Sequence, residues 1–152
     1  MAKTPTQNGP RADAPGERRD CSVQALANAS GITYAEAHSI LAAQGRQANK
    51  GHTPRLDETR RSFEGRFVIH ELVRDASPYA AQTLAQFART HWCGSYYVVI
   101  RKGDMVRGTL GAHAVAIVNG VIIDNLPETW LRARVRNAWE FERRLSYTGD
   151  LP

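Results

Sequence analysis

The sequence predicts an α+β protein in which N-terminal helices pack on a C-terminal antiparallel sheet. Three observations lead there. Helical spacing with capping residues dominates residues 20–45. β-branched and aromatic runs dominate from Tyr96 onward. Asn119-Gly120 joins two of those runs, and Asn-Gly between apolar segments is the strongest short-range hairpin signal. Helices and strands that segregate along a chain point to α+β rather than to alternating α/β.

At 152 residues, 42% hydrophobic and 23% charged, the chain has the composition of one globular domain with a real core. Wholesale disorder and collagen-like or coiled-coil readings are excluded. Residues 1–17 hold three prolines, two glycines and almost nothing large and apolar, so they read as a flexible arm. Residues 18–152 then form the single domain.

Asp20 to Gly31 reads as a short helix, with Asp20 as N-cap, Gly31 as the C-terminal stop and Val23, Leu26 and Ala27 as its apolar stripe. A second helix follows. Thr33 caps it, Glu36 completes a capping box, Ala37, Ile40 and Leu41 form its buried stripe, and Gly45 ends it. Residues 46–65 are polar and charged, a long loop with about one helical turn. Phe67 to Leu72 suits a short strand. Ser77-Pro78 reads as the N-cap and first residue of a third helix, with Leu84, Phe87 and Ala88 buried and Gly94 as its end. Tyr96 to Ile100 is a strand by propensity, and Met105 to Gly111 is an exposed connection. His113 to Val118 and Val121 to Asp124 are the arms of the hairpin. From Trp130 to Leu145, Arg132, Arg134 and Arg136 alternate with Ala133 and Val135 as in a strand. Leu131, Val135 and Ala138 also fit a helix, and we read this stretch as strand.

The net charge is +5, carried by 17 arginines and 3 lysines. Arginine suits phosphate, so nucleic acid is one partner class. Acidic residues are interspersed with the basic ones, however, and Arg132, Arg134, Arg136, Arg143 and Arg144 equally suit a solvated strand edge. No apolar run is long enough to span a bilayer, and the N-terminus lacks the apolar core of a secretory signal. The expected location is the cytoplasm, or a virion if the chain is phage-encoded. Two cysteines are too few for a disulfide scaffold.

Chemistry points to Cys21, His113 and Asp124. Cys21 falls at the first position of a predicted helix, where unpaired N–H groups and the helix dipole favour thiolate. The plainer reading is a small buried residue. His113 opens an otherwise apolar strand; alone, it would read as a histidine at the core's edge. Pairing across Asn119-Gly120 sets residue 118 opposite 121 and 115 opposite 124, so Asp124 lies one diagonal step from His113. A carboxylate there would orient the imidazole, although Asp124 also suits a turn beside Asn125 and Pro127. A cysteine at a helix start, a histidine at a strand start and an acid across the hairpin form the order a thiol hydrolase requires. Cys93 ends a predicted helix and reads as structural. Cys21, Cys93, His91 and His113 lack metal-site spacing, so neither metal nor cofactor is expected. His38, with Glu36 nearby, falls on a solvated helix surface, and His52 and His70 have no partners in sequence.

Two segments, Asp20-Cys21-Ser22-Val23-Gln24-Ala25-Leu26-Ala27 and His113 to Asp124, resemble the papain-like cysteine peptidase superfamily. They are most similar to its small bacterial and phage-encoded branches, including bacteriocin-leader peptidase domains. The first segment, continued through Tyr34 to His38 and Gly45-Arg46, also looks like short phage proteins. The resemblance spans roughly residues 20–125. It implies a helical half carrying the cysteine, packed on an antiparallel sheet carrying the histidine and the acid. Many members place a glutamine about six residues before the cysteine as an oxyanion donor. Here position 15 is Pro, leaving Arg18, Arg19 or the Cys21 backbone N–H as substitutes, and loss of one such donor typically costs ~10²–10³ in rate.

The expected function is therefore hydrolysis of a peptide or isopeptide bond in a peptide or protein substrate. Cys21 is the nucleophile, His113 the base and then acid, and Asp124 the orienting group. The alternative is a non-catalytic virion component or host-directed binding protein on the same fold. Nucleic-acid binding through the arm and the arginine-rich tail is a third expectation.

Overall fold

The computed structural model describes residues 20–48, 50–77, 79–102, 111–124 and 128–144. The fold is α+β: four helices and a five-stranded sheet whose neighbouring strands all run antiparallel. The helices are α1 (Cys21–Ser30), α2 (Tyr34–Ala43), α3 (Leu56–Ser62) and α4 (Leu84–Thr90). The strands are β1 (Phe67–Val73), β2 (Ser95–Lys102), β3 (Gly111–Val118), β4 (Val121–Ile123) and β5 (Val135–Arg143), in the spatial order β1-β5-β2-β3-β4. The expected arm, residues 1–17, and the Met105–Gly111 connection up to residue 110 lie outside the described residues.

The sheet separates two cores, because side chains alternate between its faces. On one face Tyr97, Ala114, Ala116, Ile123, Trp139 and Phe141 meet α1, α2 and Phe63 at the end of α3. On the other, Tyr96, Val98, Ile100, Val115, Ile117 and Ala138 meet Leu84, Phe87 and Ala88 of α4. The small residues Ala25, Ala27 and Ala29 let α1 sit close to β3. Phe63 is fully buried between Phe67 and Phe141, edge-on to both at 5.8 and 5.5 Å, and anchors α3 to the β1–β5 pair.

The hairpin forms on Asn119-Gly120. Both have positive φ, 49° and 78°, as a two-residue turn matched to strand twist demands. Gly120 is doubly constrained, since a Cβ there would come within 3.3 Å of the Trp92 Cα. Val118 pairs with Val121 and Ala116 with Ile123, the register the turn implies.

Four local expectations are corrected. Asp20 precedes α1 but makes no side-chain cap bond, because its carboxylate turns elsewhere. In α2 the Thr33 hydroxyl accepts from the Glu36 N–H, but the Glu36 carboxylate pairs with Arg66 at 2.9 Å instead of completing the box; Gly45, at φ 102°, does stop the helix just past its last residue, Ala43. The helix expected from Ser77 begins only at Leu84. Thr83 and Gln86 form a complete capping box there, and Ser77 instead accepts from the Tyr79 N–H in a local turn. That helix ends at Thr90 with His91 as its cap, short of Gly94. Finally, Trp130 and Leu131 lie in a 3-10 helix, Glu128–Arg132, and the strand begins at Val135. No described helix is long and apolar enough to cross a membrane.

Candidate active site

Cys21 is the first residue of α1, where the first-turn N–H groups have no partners within the helix and the dipole is positive. The residue before it, Asp20, is 1% exposed. Its carboxylate accepts from the Tyr34 hydroxyl at 2.8 Å and from Gln24 Nε2 at 3.0 Å. The start of α1 is thus tied to the start of α2 by a buried acid, which holds the cysteine in place.

His113 lies near the beginning of β3. β4 pairs only with Ala116, Ile117 and Val118, so β4 does not flank the first part of β3. Asp124, one residue beyond β4, curls back over that margin. His113 Nε2 donates to Asp124 Oδ2 at 2.7 Å, with side chains 16% and 27% exposed. The imidazole is also hydrogen-bonded to the Cys21 side chain. With Nε2 committed to Asp124, the nitrogen left for the sulfur is Nδ1. On the opposite helical layer, Trp130 meets the imidazole edge-on at 5.1 Å. The ring therefore sits at the sheet margin between the two layers, touched by one residue from each.

Burial acts most strongly on this ring and disfavours its charged form. The hydrogen bond to Asp124, the hydrogen bond and charge of Cys21, and the charge of Asp124 together outweigh burial. His113 is pushed from 6.5 up to about 9. At neutral pH it is an imidazolium. An imidazolium beside a sulfur favours thiolate, because the interaction acts equally on both partners.

Two nearby groups were not singled out from sequence. Tyr97 is buried under α1, stacked on Trp139 at 5.3 Å, and its hydroxyl has no hydrogen-bond partner among the described residues. Burial, and then the charge of Cys21, raise its pKa well above 10. The hydroxyl of Ser22, next to Cys21, is likewise buried without a partner. Strand alternation would have placed Tyr97 on the helical face, but nothing in sequence set β2 against α1. Trp130 was missed because its stretch was read as strand.

The remaining candidates stand apart. Arg19, Arg18 and Pro15 lie outside the described residues. Cys93 is exposed beyond α4, at the opposite end of β2 from the His113 partner Ile100. His91 stacks on Phe87 at 3.8 Å, so the four-residue zinc set considered from sequence does not converge. Among the described residues one trio gathers its ligand atoms within 4.8 Å: His70, Glu140 and Glu142 on β1 and β5, where His70 already pairs with Glu142 at 2.7 Å. Several tail arginines serve the fold. Arg134 donates to the Ala81 carbonyl, Arg136 pairs with Asp75, and Arg143 lies over the Phe67 ring. No protein-family model, curated protein sequence or solved structure matches the chain, so a functional reading rests on this geometry.

Proposed function

We propose that the protein is a thiol hydrolase that cleaves a peptide or isopeptide bond through Cys21, His113 and Asp124, on a papain-like arrangement of helix and sheet. One observation carries the reading: a single, partly buried imidazole is hydrogen-bonded to the Cys21 side chain on one side and to a carboxylate on the other. That is the relation of nucleophile, base and orienting group that covalent acyl transfer needs.

In this reading the Cys21 thiolate attacks the carbonyl carbon. The C–S bond forms as the carbonyl electrons move to oxygen. Collapse expels the amine, which takes its proton from the His113 imidazolium. The neutral imidazole then takes a proton from water as its oxygen attacks the thioester carbon; collapse breaks the C–S bond, releases the carboxylic acid and restores the thiolate–imidazolium pair. Asp124 fixes the ring and offsets its charge throughout. First-turn N–H groups of α1 are the nearest oxyanion donors that the fold supplies.

The test is site-resolved alkylation. Iodoacetamide should modify Cys21 at pH 6 much faster than Cys93, which lies exposed beyond α4. His113→Ala should remove most of the difference, and Asp124→Ala less. Slow, equal labelling of both cysteines would leave Cys21 a structural residue and favour a non-catalytic binding protein.

A further inference from the structure

Arg101 is the unexplained charge beside this site. One of its guanidinium nitrogens, Nη1, is buried without a hydrogen-bond partner. Among the described residues no ion pair or side-chain hydrogen bond holds the group; its backbone N–H donates to the Arg134 carbonyl. Its position follows from the β2–β3 register. Arg101 pairs with Ala112, and its neighbour Ile100 pairs with His113. Tyr97, Val99 and Arg101 alternate onto one face of β2. Tyr97 belongs to the core under α1 and Val99 packs against it. Arg101 therefore faces the α1 side, at the end of the sheet where Cys21 meets His113. A guanidinium with a desolvated nitrogen and no counter-anion is costly, and its fork matches a carboxylate.

We infer that Arg101 recognises an anion beside Cys21, so that the substrate carries a carboxylate close to the bond attacked. The inference rests on the thiol-hydrolase reading for its reaction, but the anion site can be tested without it. The probes are iodoacetate and iodoacetamide. In both, the sulfur displaces iodide from the same carbon, the C–S bond forming as the C–I bond breaks. They differ only in carboxylate against carboxamide. The iodoacetamide rate reads the reactivity of the sulfur, and the ratio of the two rates reads attraction for the carboxylate.

Cys21 of the full chain is labelled at pH 6 and low ionic strength, and the urea-unfolded chain gives the intrinsic ratio. The folded protein should favour iodoacetate over that baseline. Arg101→Gln should lower the ratio about tenfold while leaving the iodoacetamide rate within about twofold, and added salt should narrow the difference. Arg101→Lys should fall between, because it keeps the charge and loses the fork. Equal ratios in wild type and Arg101→Gln would overturn the inference. So would equal loss of both rates, which would make Arg101 a support for the thiolate alone. Should Cys21 react slowly with both reagents, the hydrolase reading fails, and the ratio, taken at higher pH, still decides Arg101. Melting temperature confirms that the variants fold; Arg101→Met replaces any that do not.

Discussion

Replacing Cys21 by Ser should change how stability depends on pH, and in a direction the site dictates. A histidine whose folded pKa is raised contributes stability that is complete below its unfolded value and is lost as pH rises through the folded value. For His113 those limits are 6.5 and about 9, a difference that corresponds to about 3 kcal/mol. In the wild type that loss is masked between pH 6.5 and ~8.5. There the unfolded chain holds one proton on the thiol and none on the imidazole. In the thiolate–imidazolium pair proposed above, the folded state also holds one, on the imidazole. Equal proton counts give a flat profile. Below pH 6.5 the unfolded chain binds one proton more, so wild-type stability rises with pH.

In Cys21→Ser the thiol no longer titrates. Stability should be level below pH 6.5, then fall by about 1.4 kcal/mol per pH unit until the folded pKa is passed. That pKa must lie below about 9, because both Cys21 contributions are gone, so the total loss is under about 3 kcal/mol. Adding Asp124→Asn leaves burial, the largest influence on the ring, unopposed. The folded pKa then drops below 6.5 and the slope reverses sign. Urea unfolding from pH 5 to 9 on the two serine variants measures this, and their difference cancels every titrating group except His113 and Asp124. A Cys21→Ser profile that stays level through pH 6.5–9, or that Asp124→Asn leaves unchanged, would refute the assigned interactions.

Three further outcomes are expected. Tyr97→Phe removes a buried hydroxyl that has no partner while keeping the stack on Trp139, so stability should hold or rise by about 1 kcal/mol; a loss in urea unfolding would show that the hydroxyl is bonded. Thr83→Ala removes the hydroxyl half of the α4 capping box, leaving Gln86 Oε1 on the Thr83 N–H, and should cost about 1 kcal/mol, with no change in Cys21 alkylation. Phe63→Ala should cost about 3–5 kcal/mol, because the ring is fully buried between two aromatic partners; a cost under 1 kcal/mol would mean that α3 is not anchored there.

The parts of the fold that were legible are those governed by local chemistry. Asn119-Gly120 dictates a turn and hence a register, and the register alone brings Asp124 within reach of His113. Gly31, at φ 82°, closes α1 because few other residues adopt that conformation. Helix α4 shows the limit. Ser77-Pro78 and Thr83 both carry N-terminal signals, and the earlier one was followed. What selects Thr83 is non-local: Thr83 bridges to Arg134 and the Leu84 N–H donates to the Ala133 carbonyl, contacts with a segment fifty residues away. The same holds for the strand order. β1 pairs with β5 through Phe67, Ile69 and Phe141, which no local pattern links.

The site shares this division, and its two halves differ in consequence. The His113–Asp124 contact is made within one hairpin and follows from the turn. The Cys21–His113 contact depends on α1 lying along β3, which depends in turn on small residues in the helix and on the buried Asp20 anchor. Burial alone would leave His113 neutral at physiological pH, since desolvation is the strongest effect on it. The imidazolium exists because two elements remote in sequence each bring it a negative group, and neither supplies all of the opposition to burial. A change that merely tilts α1 would therefore lower the ring's pKa without touching any of the three side chains. Asp20→Asn tests this. It keeps the size of the side chain but weakens the hold of Tyr34 and Gln24 on the helix start. It should slow Cys21 alkylation at pH 6 and lower the His113 pKa measured by NMR. Unchanged values for both would show that packing against β3 positions the cysteine without the acid.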